Sequence, residues 1–281
     1  MSAELLAAVY GIISALAYGS GDFTGGFASK KSSVYAVIVL SQIAGLVMYA
    51  LLALIFQEAP PPLEDLPYAM MGGLIGVFGL LSLYTSLSRG QMGIAAPVAG
   101  VVTAALPVIA AFVTQGLPKP AVLLGFAIGL VAVWLIARSP DAGRIQPRVL
   151  VLPVIAGICF GLGFLLFVRA SMHATFIPLA TARVFSVSGL GLFVLLTRKP
   201  FHVTSARALP LIALGGLLDA AGNGFFVLAA QAGRIDIAAV LSSLYPAATV
   251  LLAWIVLRER LSRTQGIGVL AALIAIALIV A

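Results

Sequence analysis

The stretch SVYAVIVLSQIAGLVMYALLALIF, residues 33–56, is apolar along its whole length and contains no charged residue. A helix needs roughly 20 mostly apolar residues to cross the hydrocarbon core of a bilayer, so this stretch is long enough to span it. Nine further stretches of the same kind occupy most of the remaining chain. We therefore predict ten transmembrane helices, over residues 4–27, 33–56, 67–88, 92–115, 121–137, 149–170, 175–197, 208–230, 235–257 and 264–281.

The composition supports an all-α integral membrane protein. Hydrophobic residues make up 62% of the chain and charged residues 9%, whereas soluble domains have about 25% charged residues. The net charge of +7 does not indicate nucleic-acid binding, because the basic residues lie in loops between apolar stretches and form no continuous patch. Cys159 is the only cysteine, which excludes a disulfide within the chain and a CxxC site. Because Glu4 stands where a signal peptide carries Lys or Arg, we expect the first helix to be retained.

The distribution of Lys and Arg predicts the orientation. The odd-numbered loops and their flanks hold twelve basic residues, namely Lys30, Lys31, Arg89, Arg138, Arg144, Arg148, Arg198, Lys199, Arg207, Arg258, Arg260 and Arg263. The even-numbered loops hold three, namely Lys119, Arg169 and Arg234, together with the acidic segment 58–65. Because Lys and Arg collect in cytoplasmic loops, we expect the odd loops to be cytoplasmic and both termini periplasmic.

An internal repeat divides the chain into two halves. Segment 66–74 resembles segment 209–217 at an offset of 143 residues, since both begin with Leu-Pro and both contain Gly-Gly-Leu. The same offset pairs Gly79 with Gly222, Gly90 with Gly233, and Ile94-Ala95-Ala96 with Ile237-Ala238-Ala239. When the offset is shortened by four residues, Leu106-Pro107 aligns with Tyr245-Pro246. We expect a five-helix repeat over 1–138 and a second over 149–281. A unit with five spans enters the membrane in the opposite direction the second time, which gives an inverted repeat.

The end of the chain resembles a known family. The stretch SSLYPAATV, residues 242–250, is followed by Trp254, by LRERL at residues 257–261 and by Gln265-Gly266. This series is similar to the closing signature of EamA-type members of the drug/metabolite transporter superfamily, in which a Pro lies mid-helix, a Glu follows the span and a Gly opens the last helix. Here these residues are Pro246, Glu259 and Gly266. The first half matches through Pro107 and Gly125, but Gly116-Leu117-Pro118 stands in place of the Glu.

The resemblance implies a ten-helix inverted-repeat transporter with a central cavity that moves small metabolites or drugs across the inner membrane. Within the superfamily, the aromatic amino-acid exporters of the YddG type are the subgroup that we expect. The small multidrug members carry a membrane-embedded Glu in their first helix. The first helix here has Ser14, Ala17 and Tyr18 around its middle and no Glu at those positions, which argues against their proton-coupled mechanism.

Polar residues within the apolar stretches are the main site candidates. An ionisable group at the bilayer centre costs about 2.5–3.5 kcal/mol on insertion scales, so a partner, water or a function must offset it. Arg183 could bind a substrate carboxylate through two hydrogen bonds or form an internal ion pair. Asp219 and Asn223 share a helix face and could bind an amino group or a proton, or Asp219 could pair with Arg183. Asp22 is a second proton-coupling candidate or an interfacial carboxylate, and Gln42 is a further polar candidate.

Prolines and aromatic side chains complete the predicted site. Pro97 and Pro107 in the fourth stretch and Pro246 in the ninth predict helix kinks at equivalent positions of the two halves, which often mark the binding site of a transporter. Several aromatic residues could line a cavity or pack in the core, namely Tyr18, Phe78, Tyr84, Phe164, Phe167, Phe226 and Tyr245. We expect Tyr68 and Trp134 to be interfacial anchors.

Secondary transport is the function that these features favour. The alternatives are a multidrug or sugar-type transporter, an intramembrane enzyme acting on lipid-linked substrates, and a channel or lipid scramblase. An enzyme would need clustered polar groups at the interface, but His173 and His202 are far apart in sequence, and a channel would need polar rings along several helices. Without HExxH or Walker A motifs, we expect no metal, no cofactor and no ATP hydrolysis. The expected partners are a small-molecule substrate and the lipid bilayer; the sequence does not determine the oligomeric state, and a monomer is compatible with it.

Overall fold

The computed structural model describes residues 3–89, 92–137, 147–257 and 262–280, and most of these residues are helical. Its helices are α1 (Ala3–Ser29), α2 (Val34–Ile55), α3 (Leu66–Ser88), α4 (Met92–Gln115), α5 (Pro120–Ala137), α6 (Pro147–Ala170), α7 (Phe176–Thr197), α8 (Leu209–Ala232), α9 (Ile235–Ser242), α10 (Tyr245–Leu257) and α11 (Arg263–Val280), with a 3-10 turn at Ala206–Ala208. Gly90, Arg138, Arg144, Arg258, Glu259 and Arg260 lie outside the described residues, as does the side chain of Trp254.

Seven apolar segments among the described residues are long enough to cross a membrane, which makes this a multi-pass membrane protein. They are Ala3–Ser29, Val34–Ile55, Leu66–Ser88, Ala95–Gln115, Arg148–Ala170, Phe176–Thr197 and Ala206–Ala232. Three shorter apolar segments, Pro120–Leu135, Ile235–Thr249 and Arg263–Ile279, accompany them. The prediction of ten spans therefore holds by length for seven, and the other three stay a prediction.

The ninth predicted span, 235–257, is two helices rather than one. α9 ends at Ser242 and α10 begins at Tyr245, with the amide of Leu244 donating to Leu241 O in the turn between them. The break lies immediately before Pro246, whose ring clashes with the carbonyl four residues earlier and whose nitrogen carries no proton. Pro97 and Pro107, in contrast, lie inside a helix that is assigned without interruption. The two predicted halves thus differ here: α4 of the first half continues through its prolines, whereas the corresponding span of the second half is broken into α9 and α10.

Small residues allow the central helices to pack closely. α1 packs along α8, α3 along α6, and α2 against α7 and α8, while α5 packs along α11 at one side. Gly73 of α3 faces the backbone of Ala182 in α7, and Gly216 of α8 faces the backbone of Ser41 in α2. A Cβ atom at either glycine would overlap the facing carbonyl oxygen. Glycine is therefore required at both crossings, as is common in transmembrane helix packing.

The loop after α1 and the loop after α7 are joined at one end of the bundle. The amide of Ser33 donates to His202 O over 3.0 Å, and the amide of Thr204 donates to Ser32 Oγ over 3.2 Å. The hydroxyl of Ser33 donates to Pro200 O over 2.5 Å. These bonds connect loops that are far apart in sequence, one from each predicted half. His202 thus takes part through its backbone in a loop contact.

Candidate functional site

A cavity lies among the central helices, midway along them. Its volume is about 60 Å³, which is room for about four to six waters at 10–15 Å³ each. Its lining comes from α1, α2, α3, α4, α6, α7, α8 and α10, so both predicted halves contribute. The lining residues are Tyr18, Asp22, Gln42, Gly72, Gly73, Gly76, Leu80, Thr103, Phe160, Gly163, Phe164, Phe167, Leu179, Ala182, Arg183, Ser186, Asp219, Asn223 and Tyr245.

Arg183 lies at the centre of the polar contacts in this cavity. Its Nη1 donates to Gln42 Oε1 over 2.6 Å and to Asp219 Oδ2 over 2.7 Å. Its guanidinium carbon lies 5.8 Å from the ring centroid of Tyr49, within the range of a cation–π contact. Tyr49 is itself held by a hydrogen bond of 2.5 Å from its hydroxyl to Ala220 O. The ion pair with Asp219 and the bond to Gln42 therefore hold the guanidinium at Nη1.

Three buried donors of the same cavity have no hydrogen-bond partner among the described residues. They are Nη2 of Arg183, Nε2 of Gln42 and the hydroxyl of Tyr18. A buried donor without a partner costs about 1–3 kcal/mol, so groups of this kind require water or a ligand. Each is a donor that an acceptor such as a carboxylate could satisfy.

Asp22 is a buried carboxylate in the same cavity that is not neutralised directly. It is 7% exposed, and in the described parts of the chain it accepts no hydrogen bond and forms no ion pair. It interacts electrostatically with Asp219, whose own charge is compensated by Arg183. Two carboxyl groups and one guanidinium thus line the cavity, and only Asp219 is paired with the guanidinium. A ligand with a positive group, or a proton, would suit Asp22. Asn223 lies one turn beyond Asp219 and donates to its backbone carbonyl over 2.9 Å.

Aromatic rings form the apolar wall. Phe164 stacks on Phe226 with ring centroids 3.8 Å apart, and Tyr18 contacts both Phe164 and Tyr245 at centroid distances of 5.9 Å and 6.3 Å. The hydroxyl of Tyr245 donates to Ala96 O in α4 over 3.1 Å. Phe160 and Phe167 of α6 add two further rings to the lining. The cavity therefore has polar donors and carboxylates together with an aromatic surface.

Most of the predicted site residues come together, but Phe78 and Tyr84 do not, and Phe226 also lies outside the lining, buried and stacked on Phe164. Tyr18, Asp22, Gln42, Phe164, Arg183, Asp219, Asn223 and Tyr245 all line the cavity. Phe78 is 49% exposed and lies outside the lining. Tyr84 is buried in a core cluster where its ring faces Gly25, and it too lies outside the lining. An apolar sequence does not show which face of a helix a ring occupies, which explains these differences.

The interpretation from sequence also missed cavity residues that carry no charge. Ser186 donates to Gly73 O over 2.7 Å, and Thr103 donates to Ala99 O over 2.7 Å, so both hydroxyls bond to backbone. The prediction also missed the glycines that line the cavity, namely Gly72, Gly73 and Gly76 of α3 and Gly163 of α6. Only the Gly72-Gly73 repeat element pointed to any of them, and it indicated a repeat and not a cavity.

A second polar cluster joins the even-numbered loops at the other end of the bundle. Asp65 Oδ1 accepts from Arg169 Nη1 over 2.5 Å, and Asp65 Oδ2 lies 2.7 Å from Nδ1 of His173. The Asp65 side chain has no exposed surface. The hydrogen bond with His173 and the nearby Arg169 guanidinium hold the pKa of the Asp65 carboxyl below its ordinary value. Arg169 also lies over the ring of Tyr68 at 4.7 Å.

Glu58, in the same loop as Asp65, caps helix α7. Its carboxylate accepts from the amides of Thr175 over 2.6 Å, Phe176 over 3.0 Å and Ile177 over 2.6 Å. These are amides at the start of a helix that have no partner within it, and the helix dipole favours an anion there. The loop between α2 and α3 is thereby fastened to the junction of α6 and α7.

Comparison with known proteins gives one solved structure of similar fold and one family that matches part of the sequence. No curated protein matches it significantly. A solved structure, described only as the crystal structure of a protein, has the same fold, with a TM-score of 0.74 and 15% sequence identity over 97% of this chain and 95% of that chain. At that identity the likeness concerns the fold alone. The EamA-like transporter family matches residues 148–281. The carboxyl-terminal half of this multi-pass membrane protein is therefore similar to an EamA-like transporter domain.

Proposed function

We propose that this protein is a secondary transporter that carries small organic solutes across the bacterial inner membrane through the central cavity. The observation that carries the proposal is a cavity lined by both halves of the chain, in which three buried donors have no hydrogen-bond partner in the described parts of the protein. Such donors are expected where a polar ligand binds and leaves. The similarity of residues 148–281 to a transporter family supports the same conclusion.

The proposed transporter has ten spans in two inverted halves, 1–138 and 149–281. Close contacts that recur at a nearly constant offset support this arrangement. Gly73 and Gly216, 143 residues apart, face the backbones of Ala182 and Ser41. Gly19 faces Tyr245 O, and Gly161, 142 residues later, faces Thr103 O. The packing of α1 on α8 corresponds in the same way to that of α3 on α6.

Alternating access follows from this architecture. The cavity lies between the halves, and loop contacts join them at both ends, through Ser33 and His202 at one and Glu58 and α7 at the other. In an inverted-repeat transporter, one half moves against the other around a fixed site. Each set of loop contacts must then open when the cavity is exposed on its own side of the membrane.

The solutes whose chemical groups match the lining best are amino acids with aromatic or hydrophobic side chains. A carboxylate would accept from Nη2 of Arg183, Nε2 of Gln42 and the hydroxyl of Tyr18, the three unpartnered donors. An ammonium group would neutralise Asp22. The side chain would contact the rings of Phe160, Phe164 and Phe167. Drug cations lack the carboxylate and sugars lack both charges, so each would leave part of this set unused.

Transport into liposomes tests the proposal. Purified protein is reconstituted and given radiolabelled phenylalanine or tryptophan, with and without a pH gradient. We expect saturable uptake that unlabelled aromatic amino acids compete for. Arg183→Ala should lose this uptake while inserting normally. If uptake by the wild type equals that of empty liposomes, amino acids are excluded and drug cations and sugars are tested next.

A further inference from the structure

We infer that Gly76 of α3 and Gly163 of α6 determine how large a solute side chain the cavity accepts. The inference rests on the proposed function and assigns a specificity role to two residues of its site. Both glycines line the cavity that also contains the unpartnered nitrogens of Arg183 and Gln42. Those two residues are 6% and 2% exposed, so a polar group of a ligand in the cavity could satisfy their nitrogens.

The two glycines differ from their neighbours in the space beside them. A Cβ on Gly163 would have no atom within 4 Å, and a Cβ on Gly76 would first meet Cζ of Phe167 at 4.0 Å. A Cβ on Gly72 would lie 2.7 Å from Phe167 Cε1, and one on Gly79 would lie 2.7 Å from Phe160 Cε1. Gly72 and Gly79 are thus needed for helix packing, whereas Gly76 and Gly163 leave open space in the cavity wall.

Helix packing does not explain these two positions. Glycine is one of the least favourable residues in a helix interior, and alanine would fit at either position without a steric clash. The open space lies beside the rings of Phe160 and Phe167, in the cavity where Arg183 and Gln42 offer the polar groups. A solute held at its polar end by these groups would place its side chain against the aromatic wall. The missing side chains at Gly76 and Gly163 then determine the room available to it.

A size series tests the inference. Gly163→Leu and Gly76→Leu are reconstituted in liposomes, and transport of alanine, valine, leucine, phenylalanine and tryptophan is compared with the wild type. The control is Gly191→Leu, because a Cβ on Gly191 of α7 also meets nothing within 4 Å but the residue lies outside the cavity lining. All three variants exchange a helical glycine for the same residue, so general effects on the helix are matched.

The expected result is a selective loss. Transport of phenylalanine and tryptophan relative to alanine should fall about 10–200-fold in the Gly163 and Gly76 variants, the range by which apolar pockets discriminate by size. Gly191→Leu should keep the wild-type order. Gly163→Ala and Gly76→Ala, which need less space, provide the same test with a smaller shift if a leucine variant does not fold.

Two outcomes would overturn the inference and are distinguishable. Equal reduction of all five amino acids in the cavity variants, or the same shift in Gly191→Leu, would show that the glycines do not select by size although amino acids are transported. A wild type that transports none of the five would instead remove the proposed substrate class, and the inference with it.

Discussion

Nη1 of Arg183 lies 2.7 Å from Oδ2 of Asp219 inside the helix bundle, where 6% and 7% of the two residues' surfaces are exposed. Each charge is tolerable there because the other is present. Removing one member of a buried ion pair typically costs about 3–5 kcal/mol, whereas replacing both by apolar residues of similar volume is often neutral or stabilising. The pair therefore allows its structural role to be separated from its role in transport.

The first prediction concerns this pair. Arg183→Met and Asp219→Leu should each lower the thermal unfolding midpoint in detergent, since each leaves a buried charge alone. The double variant should recover most of the midpoint, with a coupling of about 0.5–3 kcal/mol between the two sites. Transport by the double variant should still be absent, because the donor at Nη2 has gone. A stable double variant with wild-type transport would contradict the site assignment.

The second prediction concerns Asp22, which lines the cavity without a hydrogen bond or ion pair among the described residues. Asp22→Asn keeps the shape of the side chain but removes its ability to exchange a proton. We expect the variant to bind solute more weakly, because the group that would neutralise the ammonium is gone. Its remaining transport down a concentration gradient should no longer respond to a pH gradient. The measurement is liposome uptake with and without the gradient. Uptake by Asp22→Asn that still follows the gradient would place coupling at another group.

The helix ends and the charged site residues could be predicted from the sequence for one physical reason. An apolar stretch in a bilayer ends where charges and prolines begin, and a polar residue within it must face the protein interior. Arg183, Asp219 and Asp22 therefore lie in one cavity, as this argument requires. Glycines provide no comparable signal, because Gly73 at a helix crossing and Gly163 at an open wall look the same in sequence.

Contacts between distant loops also lay beyond prediction. Glu58 caps a helix that begins more than 100 residues later, and no local pattern connects a loop carboxylate with those amides. The break in the ninth span is a different case. Pro246 indicated a disturbance in the helix, but the sequence did not show that α9 and α10 would separate there while α4 continues through two prolines.

The third prediction follows from the lowered pKa of Asp65. A carboxyl group whose pKa is lower in the folded state stabilises the protein above its unfolded pKa of about 3.9, and this stability is lost as the pH falls through the folded value. Asp65→Asn should therefore have a lower unfolding midpoint than the wild type at pH 7 and at pH 5. The difference should shrink only below about pH 4. A difference that disappears above pH 5 would show that a group other than Asp65 is responsible.

The fourth prediction concerns orientation, for which the Lys and Arg count indicates cytoplasmic odd loops. Leu63, 82% exposed in the loop between α2 and α3, and Lys199, exposed after α7, lie at opposite ends of the bundle. In a Cys159→Ala background, Leu63→Cys should react with an impermeant thiol reagent in intact cells. Lys199→Cys should react only after the membrane is permeabilised. The reverse pattern would place both termini in the cytoplasm.

The fifth prediction concerns the cap that Glu58 provides for α7. Three amides donate to this carboxylate, so Glu58→Ala should remove a helix cap and destabilise the protein by about 0.5–2 kcal/mol. Glu64→Ala, in the same loop, is the matched control, because the Glu64 side chain is exposed and takes part in no hydrogen bond among the described residues. Both variants lose one negative charge, and only the first should lower the unfolding midpoint clearly. Equal midpoints for the two variants would show that the cap contributes little to the stability of the folded protein.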